Sequence, residues 1–234
     1  MIRLDKFLCE TVGVTRTQAA RLLKEKRITL DGNIVKSGAI KIAEDADVEF
    51  DGAALKLSGP RYFMMNKPEG YVCSHEDSSN PTVFVLLEEV NAEKLHIAGR
   101  LDCDTTGLLL LTDDGQWSHR VTSPKHKCDK TYRVWLDDPI EDDVAEQFAE
   151  GVMLRGEDAE TLPAQMAVVG EKEVLLTIHE GKYHQVKRMF AAVGNRVVGL
   201  HRETVGALVL DEALEPGEYR LLTADEVAQF IPSK

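Results

Sequence analysis

Three observations in the sequence predict an α+β protein of two domains. The first 58 residues combine two helical patterns with a strong hairpin signal. Residues 57–60 read Leu-Ser-Gly-Pro, a short turn-forming stretch suited to a linker. Beyond it, brief apolar runs bounded by turn residues alternate with amphipathic segments, as expected of strands and helices sharing one core. The domains drawn from this are a small α/β module over 1–58, a linker at 59–60 and a larger domain over 61–234.

In the small module, Leu4, Phe7 and Leu8, then Ala19, Ala20, Leu22 and Leu23, recur at helical spacing. They predict helices over 4–11 and 16–26, separated by Gly13, with Thr15 as the cap of the second. Asp31-Gly32 between Ile28-Thr29-Leu30 and Ile34-Val35 predicts a tight hairpin, and 47–50 a further strand. In the large domain, strands are expected at 61–65, 71–73, 131–136, 165–169, 174–178, 197–200 and 208–210. Residues 66–70 read as a turn. Helices are expected at 142–151, at 183–193 ending on Gly194, and at 223–231 behind a threonine cap.

Of the 234 residues, 43% are apolar and 29% charged, ordinary values for a soluble protein. The longest apolar runs are too short to span a membrane, and the N-terminus lacks the apolar core of a secretion signal. Cys9, Cys73, Cys103 and Cys128 are widely spaced with no C-x-x-C, which argues against a structural zinc site or a disulfide framework and for the cytoplasm. The net charge of −12 is unevenly placed. Lysine and arginine cluster in 1–36, 116–133 and 181–202, and acids in 141–160, so a basic face can meet a polyanion.

The centre of the larger domain is 96–115, H-I-A-G-R-L-D-C-D-T-T-G-L-L-L-L-T-D-D-G. Apolar runs flank a polar segment, so 100–107 should be a loop lying on buried strands, with Asp102 and Asp104 as candidates for chemistry. A calcium loop fits poorly, because position five is threonine and position twelve is Asp113 rather than glutamate. The D-x-D-x-T pattern of aspartyl-phosphate phosphohydrolases matches in letters, but there the first acid directly follows a buried strand, and Gly99-Arg100 intervene here. Acids capping a turn beside a strand are the structural alternative.

Two family resemblances join these pieces. R-L-D-K-F-L at 3–8, T-R-T-Q-A-A-R-L-L-K at 15–24 and I-T-L-D-G-N-I-V at 28–35 resemble the S4-type RNA-binding domain. G-R-L-D-C-D-T-T-G-L-L at 99–109 resembles the catalytic-loop signature of the pseudouridine synthases. Lys130-Thr131-Tyr132, the basic segment at 180–189 and Leu200-His201-Arg202 then follow in that family's motif order. R-Y-F-M-M-N-K-P-E-G-Y at 61–71 and T-D-D-G-Q-W-S-H-R at 112–120 look closest to the branch that modifies small-subunit ribosomal RNA.

The resemblance implies a catalytic domain with a mixed, mainly antiparallel sheet flanked by helices and loops. It implies isomerisation of uridine to pseudouridine in 16S ribosomal RNA, at uridine 516 in rRNA numbering. It assigns catalysis to Asp102, the basic partner to Lys187 and a base-stacking surface to Tyr132. A buried carboxylate needs a nearby fixed cation to stay charged, which is the part Lys187 would play. Arg100, Leu200 and Arg202 are expected at the substrate. Arg3, Lys6, Arg16, Arg21, Lys24, Arg27, Arg120, Lys130 and Lys182 are expected to contact RNA, with Lys125 and Lys127 as weaker candidates. The isomerisation is neutral in electrons and atoms, so no cofactor and no metal are expected. The expected partner is 16S rRNA or a partly assembled small subunit, met by a monomer. The other function class left open is a non-catalytic assembly protein that binds RNA.

Overall fold

A computed structural model describes residues 1–231 apart from 44, 57–58, 90 and 124–127. Part of the expected 57–60 linker, together with Lys125 and Lys127, lies outside the described residues. The chain divides into two compact units, Met1–Pro60 and Arg61–Lys234. Among the described residues no helix is long and apolar enough to cross a membrane.

The first unit contains β1 (Ile2–Arg3), α1 (Leu4–Val12), α2 (Arg16–Lys24), β2 (Ile28–Leu30), β3 (Asn33–Ile34), β4 (Lys41–Ile42), β5 (Val48–Phe50) and β6 (Ala53–Leu55). Gly13, at φ 73°, ends α1 in the left-handed conformation. Thr15 caps α2 in a reciprocal capping box with Gln18. Asp31 and Gly32 both have positive φ, as a two-residue hairpin joining β2 to β3 requires. The buried stripes Leu4, Phe7, Leu8 and Ala19, Leu23 close over Ile28, Ile42 and Val48. β4 and β6, of two and three residues, are too short to have been expected.

The second unit contains β7 (Tyr62–Lys67), β8 (His96–Ile97), β9 (Thr106–Thr112), α3 (Gly115–Thr122), β10 (Lys130–Leu136), α4 (Val144–Glu150), β11 (Gln165–Gly170), β12 (Glu173–Ile178), α5 (Gln185–Ala192), β13 (Val197–Val205), β14 (Leu208–Val209), β15 (Tyr219–Leu221) and α6 (Ala224–Ala228). The strands form one sheet in the order β11-β12-β10-β13-β9-β7-β15, with β14 on β13 and β8 on β9. All pairings within it are antiparallel except β13 with β9. The sheet is therefore mixed and mainly antiparallel.

β9 is apolar along its length because both of its faces are covered. Leu109 and Leu111 enter the larger core with Phe63 and Met65, while Leu108 and Leu110 enter a second core with Met64 and Trp117. The alternation is the two-residue period of a strand. Three expectations are corrected. Asn66 and Lys67, read as a turn because Pro68 and Gly70 follow, complete β7. Residues 71–73 form only an isolated bridge from Val72 to Thr82. Residues 115–122 form a helix that was not expected, started by the Asp114 carboxylate accepting from the Gln116 and Trp117 amides.

Candidate active site

β9 pairs with β7 along one edge, while its other edge is taken by β13 at Thr106–Gly107 and by β8 at Leu111–Thr112. Between these pairings, at Leu108–Leu110, no residue of β9 is in register with β8 or β13. The Arg202 guanidinium fills that gap. It is 1% exposed, with Nε donating to Leu108 O at 2.8 Å and Nη2 to Gly99 O at 2.8 Å. Nη1 reaches the Tyr132 hydroxyl at 3.4 Å. Gly107 has φ 102°, and a Cβ there would lie 2.8 Å from the Arg202 amide nitrogen, so only glycine lets the two strands meet. Arg202 was expected at the substrate. It lines the cavity wall, but two of its donors are fixed on backbone carbonyls, which makes it a brace for the loop.

The loop of residues 101–105 rises from this crossing. Its underside rests on Lys67, a fully buried residue at the end of β7. The Lys67 ammonium donates to Thr105 O at 2.8 Å, Pro68 O at 3.0 Å and Cys103 O at 3.3 Å. Burial lowers its pKa from the ordinary lysine value. The reading of 66–70 as a turn hid Lys67; an apolar strand running directly into Asn-Lys-Pro was the one signal for it. Thr105 Oγ1 is buried without a hydrogen-bond partner among the described residues.

The loop presents Asp102 to a cavity of about 650 Å³. Asp104 does not line that cavity, and its side chain is 62% exposed against 30% for Asp102. Across the cavity stands α5. Gln185, buried at its first turn, accepts from the Lys182 amide and donates to Glu180, which fixes the 180–185 turn. His184 precedes the helix at φ 48°, a left-handed conformation uncommon for a residue with a side chain. Val186, Met189 and Phe190 anchor α5 in the large core, and Lys187 points back at the loop. Its Nζ lies 3.0 Å from Asp102 Oδ2 and 2.5 Å from Asp104 Oδ1. Burial works against the Lys187 charge, but its hydrogen bonds to Asp104 and Asp102 outweigh that and raise its pKa. For Asp104 burial is likewise overcome, and the Lys187 contact holds its pKa below the usual carboxylate value. His184 Nε2 stands 3.4 Å from Asp102 Oδ1, a contact the sequence reading did not identify.

Tyr132 on β10 is 7% exposed and Leu200 on β13 is also 7% exposed; both line the cavity with Ile178 and Val186. Arg100 is exposed at the rim. Lys130 also lines the cavity; it is 8% exposed and donates to Cys128 O, with its pKa lowered by burial, so it faces the cavity rather than an outer surface. Lys182 also lines the cavity but is ion-paired with Glu157 at 2.9 Å. Arg120 sits on α3 outside the cavity lining. In the first unit Arg3, Lys6, Arg16, Arg21, Lys24 and Arg27 are all exposed. Arg3, Lys6, Arg21 and Arg27 form ion pairs with Asp5, Glu10, Glu25 and Asp51 respectively. Arg16 and Lys24 form no ion pair or hydrogen bond through their side chains among the described residues.

Comparison with known proteins agrees with this arrangement. Residues 61–192 match the model of the RNA pseudouridylate synthase family, and residues 2–48 match that of the S4 domain. The chain is 66% identical, over 98% of its length and 99% of the relative's, to a Vibrio cholerae protein named ribosomal small subunit pseudouridine synthase A. It is 57% identical to the protein of that name from Escherichia coli K12, over 98% of this chain and 100% of the other. A solved crystal structure of a pseudouridylate synthase superposes with a TM-score of 0.72 at 52% identity, covering 99% of this chain and 100% of the other. With a family match across most of the second unit and relatives similar over nearly the whole length, the chain belongs to the RNA pseudouridylate synthase family and carries an S4 domain ahead of its catalytic domain.

Proposed function

We propose that the protein isomerises a uridine of small-subunit ribosomal RNA to pseudouridine, at uridine 516 in rRNA numbering, with Asp102 as the catalytic carboxylate. One observation carries the assignment to Asp102. Of the two acids held by Lys187, it alone lines the cavity, opposite a wall bearing Tyr132. The reaction breaks the N1–C1′ bond and forms a C5–C1′ bond, and the C5 proton leaves as N1 gains one. Asp102 serves this chemistry either by attacking C1′ or by taking the C2′ proton, and both routes set the same carboxylate against the ribose. Lys187 orients that carboxylate through its 3.0 Å contact with Oδ2. Tyr132 offers a planar face on which the detached uracil turns without leaving the site. The target base must leave its stack to enter, and Arg100 stands at the mouth through which it passes. The S4 domain supplies phosphate contacts that place the substrate without reading its sequence.

The phosphohydrolase alternative requires the first acid at the exit of a strand, whereas Asp102 precedes β9. Tritium release from RNA labelled at uridine C5, using naked 16S RNA and partly assembled subunits in parallel, tests the proposal. Release that persists with chelator and is lost in Asp102→Asn supports it. Equal release from Asp102→Asn removes that residue from catalysis. Binding without release from any substrate leaves an assembly protein. Mapping pseudouridine in rRNA made with and without the protein tests the position.

A further inference from the structure

Beside the uridine cavity lies a second, open groove of about 550 Å³. The two share Cys73, Ile97, Arg100 and Thr122 as common wall, so they adjoin. The chemistry of the groove differs from that of the chain as a whole. In a protein of net charge −12, no carboxylate side chain is among the described residues that line it. Its polar surface comes instead from Arg100, from three imidazoles (His75, His96 and His119) and from the hydroxyls of Ser74, Ser118 and Thr122.

Arg100, His75, His96 and His119 are all exposed, and none makes a side-chain hydrogen bond or ion pair among the described residues. His75 is held by stacking on Phe84, with ring centroids 4.5 Å apart and planes 9° from parallel. The groove therefore offers a fixed aromatic platform, uncommitted donors and a cation at its junction with the cavity. None of the three imidazoles is used by the isomerisation chemistry on Asp102.

We infer that this groove receives the nucleotide adjoining the target uridine, its base on the His75–Phe84 stack and the connecting phosphodiester at Arg100. The inference rests on the larger cavity being the uridine pocket. A strand whose uridine is in that cavity must carry its neighbours across the rim, and the groove is the adjoining concavity where an anion meets no carboxylate. Unstacked single-stranded bases are commonly held this way, on planar side chains with polar groups at their edges. The site would bind a second nucleotide of the same RNA and perform no chemistry of its own.

The test uses the full chain and small-subunit RNA fragments that contain the target uridine, together with fragments truncated immediately 5′ or 3′ of it. His96→Ala combined with His119→Ala, and separately His75→Ala, should raise KM by about fivefold or more on the intact fragment while kcat changes by less than about twofold. His119→Glu, which places a carboxylate in the groove, should raise KM at least as far and provides a second variant at an exposed position. On one of the two truncated fragments the gap between wild type and variant should close, because the missing nucleotide is the one bound. A KM unchanged in every variant on the intact fragment overturns the inference, as does a gap that persists on both truncated fragments. An inactive wild type overturns the uridine pocket and the groove together, whereas an active wild type with unaffected variants overturns the groove alone.

Discussion

Gly107→Ala tests how the loop bearing Asp102 is held. At φ 102° an alanine is strained by about 1–3 kcal/mol. Its methyl group would also overlap the Arg202 backbone, forcing β9 and β13 apart where Thr106 pairs with His201 and Gly107 with Arg202. Each ladder hydrogen bond lost there costs about 0.5–1.5 kcal/mol. Together the penalty is about 2–6 kcal/mol, a large part of the roughly 5–15 kcal/mol that stabilises a typical domain. Gly70 is the control. It also has positive φ, at 86°, but an added Cβ would meet nothing within 4 Å, so its alanine carries only the backbone strain of about 1–2 kcal/mol. For a domain of this size Tm moves about 2–4 °C per kcal/mol, so Gly107→Ala should lower it by about 5–20 °C and clearly further than Gly70→Ala. Thermal melts followed by circular dichroism read the difference. Equal shifts in the two variants would refute the close-approach account of Gly107.

Lys187→Met removes a charged hydrogen bond worth about 1.5–3 kcal/mol from Asp102 and should lower kcat by about 10–100-fold. Lys187→Arg keeps the charge and should retain most of the activity; single-turnover tritium release checks both. Glu226 is held down to about 2, chiefly by its hydrogen bond from Arg220, against an ordinary value of 4.5. Its folded pKa is depressed, so its contribution is complete above about pH 4.5 and disappears as the pH falls towards 2. Glu226→Gln should therefore lose about 2–3 kcal/mol at pH 7 and match wild type near pH 2, as read by urea unfolding across that range. Reversing the charges of Arg16 and Arg21 should weaken RNA binding and reduce the slope of log affinity against log salt by about one to two, with folding intact. An unchanged slope would remove that helix from the binding surface.

Much of the molecule was legible in its residue order, because strands, turns and caps are decided by neighbours a few positions apart. Residues 108–111 announced a strand buried on both faces, Asp31-Gly32 a hairpin and Thr15 a helix start. The motif order from Asp102 to Tyr132 to Lys187 selected the family and the residues proposed for the site. The sequence did not distinguish a lysine that meets solvent from one buried under a loop. Lys67 read as a turn residue yet is fully buried, and Lys130 faces the cavity with little exposure, since exposure depends on strands that pair across tens of residues. Arg202 read as a substrate residue from its motif; it lines the cavity, and its donors to Leu108 O and Gly99 O also brace the loop, which no local pattern records. The choice between Asp102 and Asp104 also had to wait for the fold. Both carboxylates reach Lys187, more than eighty residues away, and only the packing of α5 against the loop places one of them in the cavity and the other towards solvent.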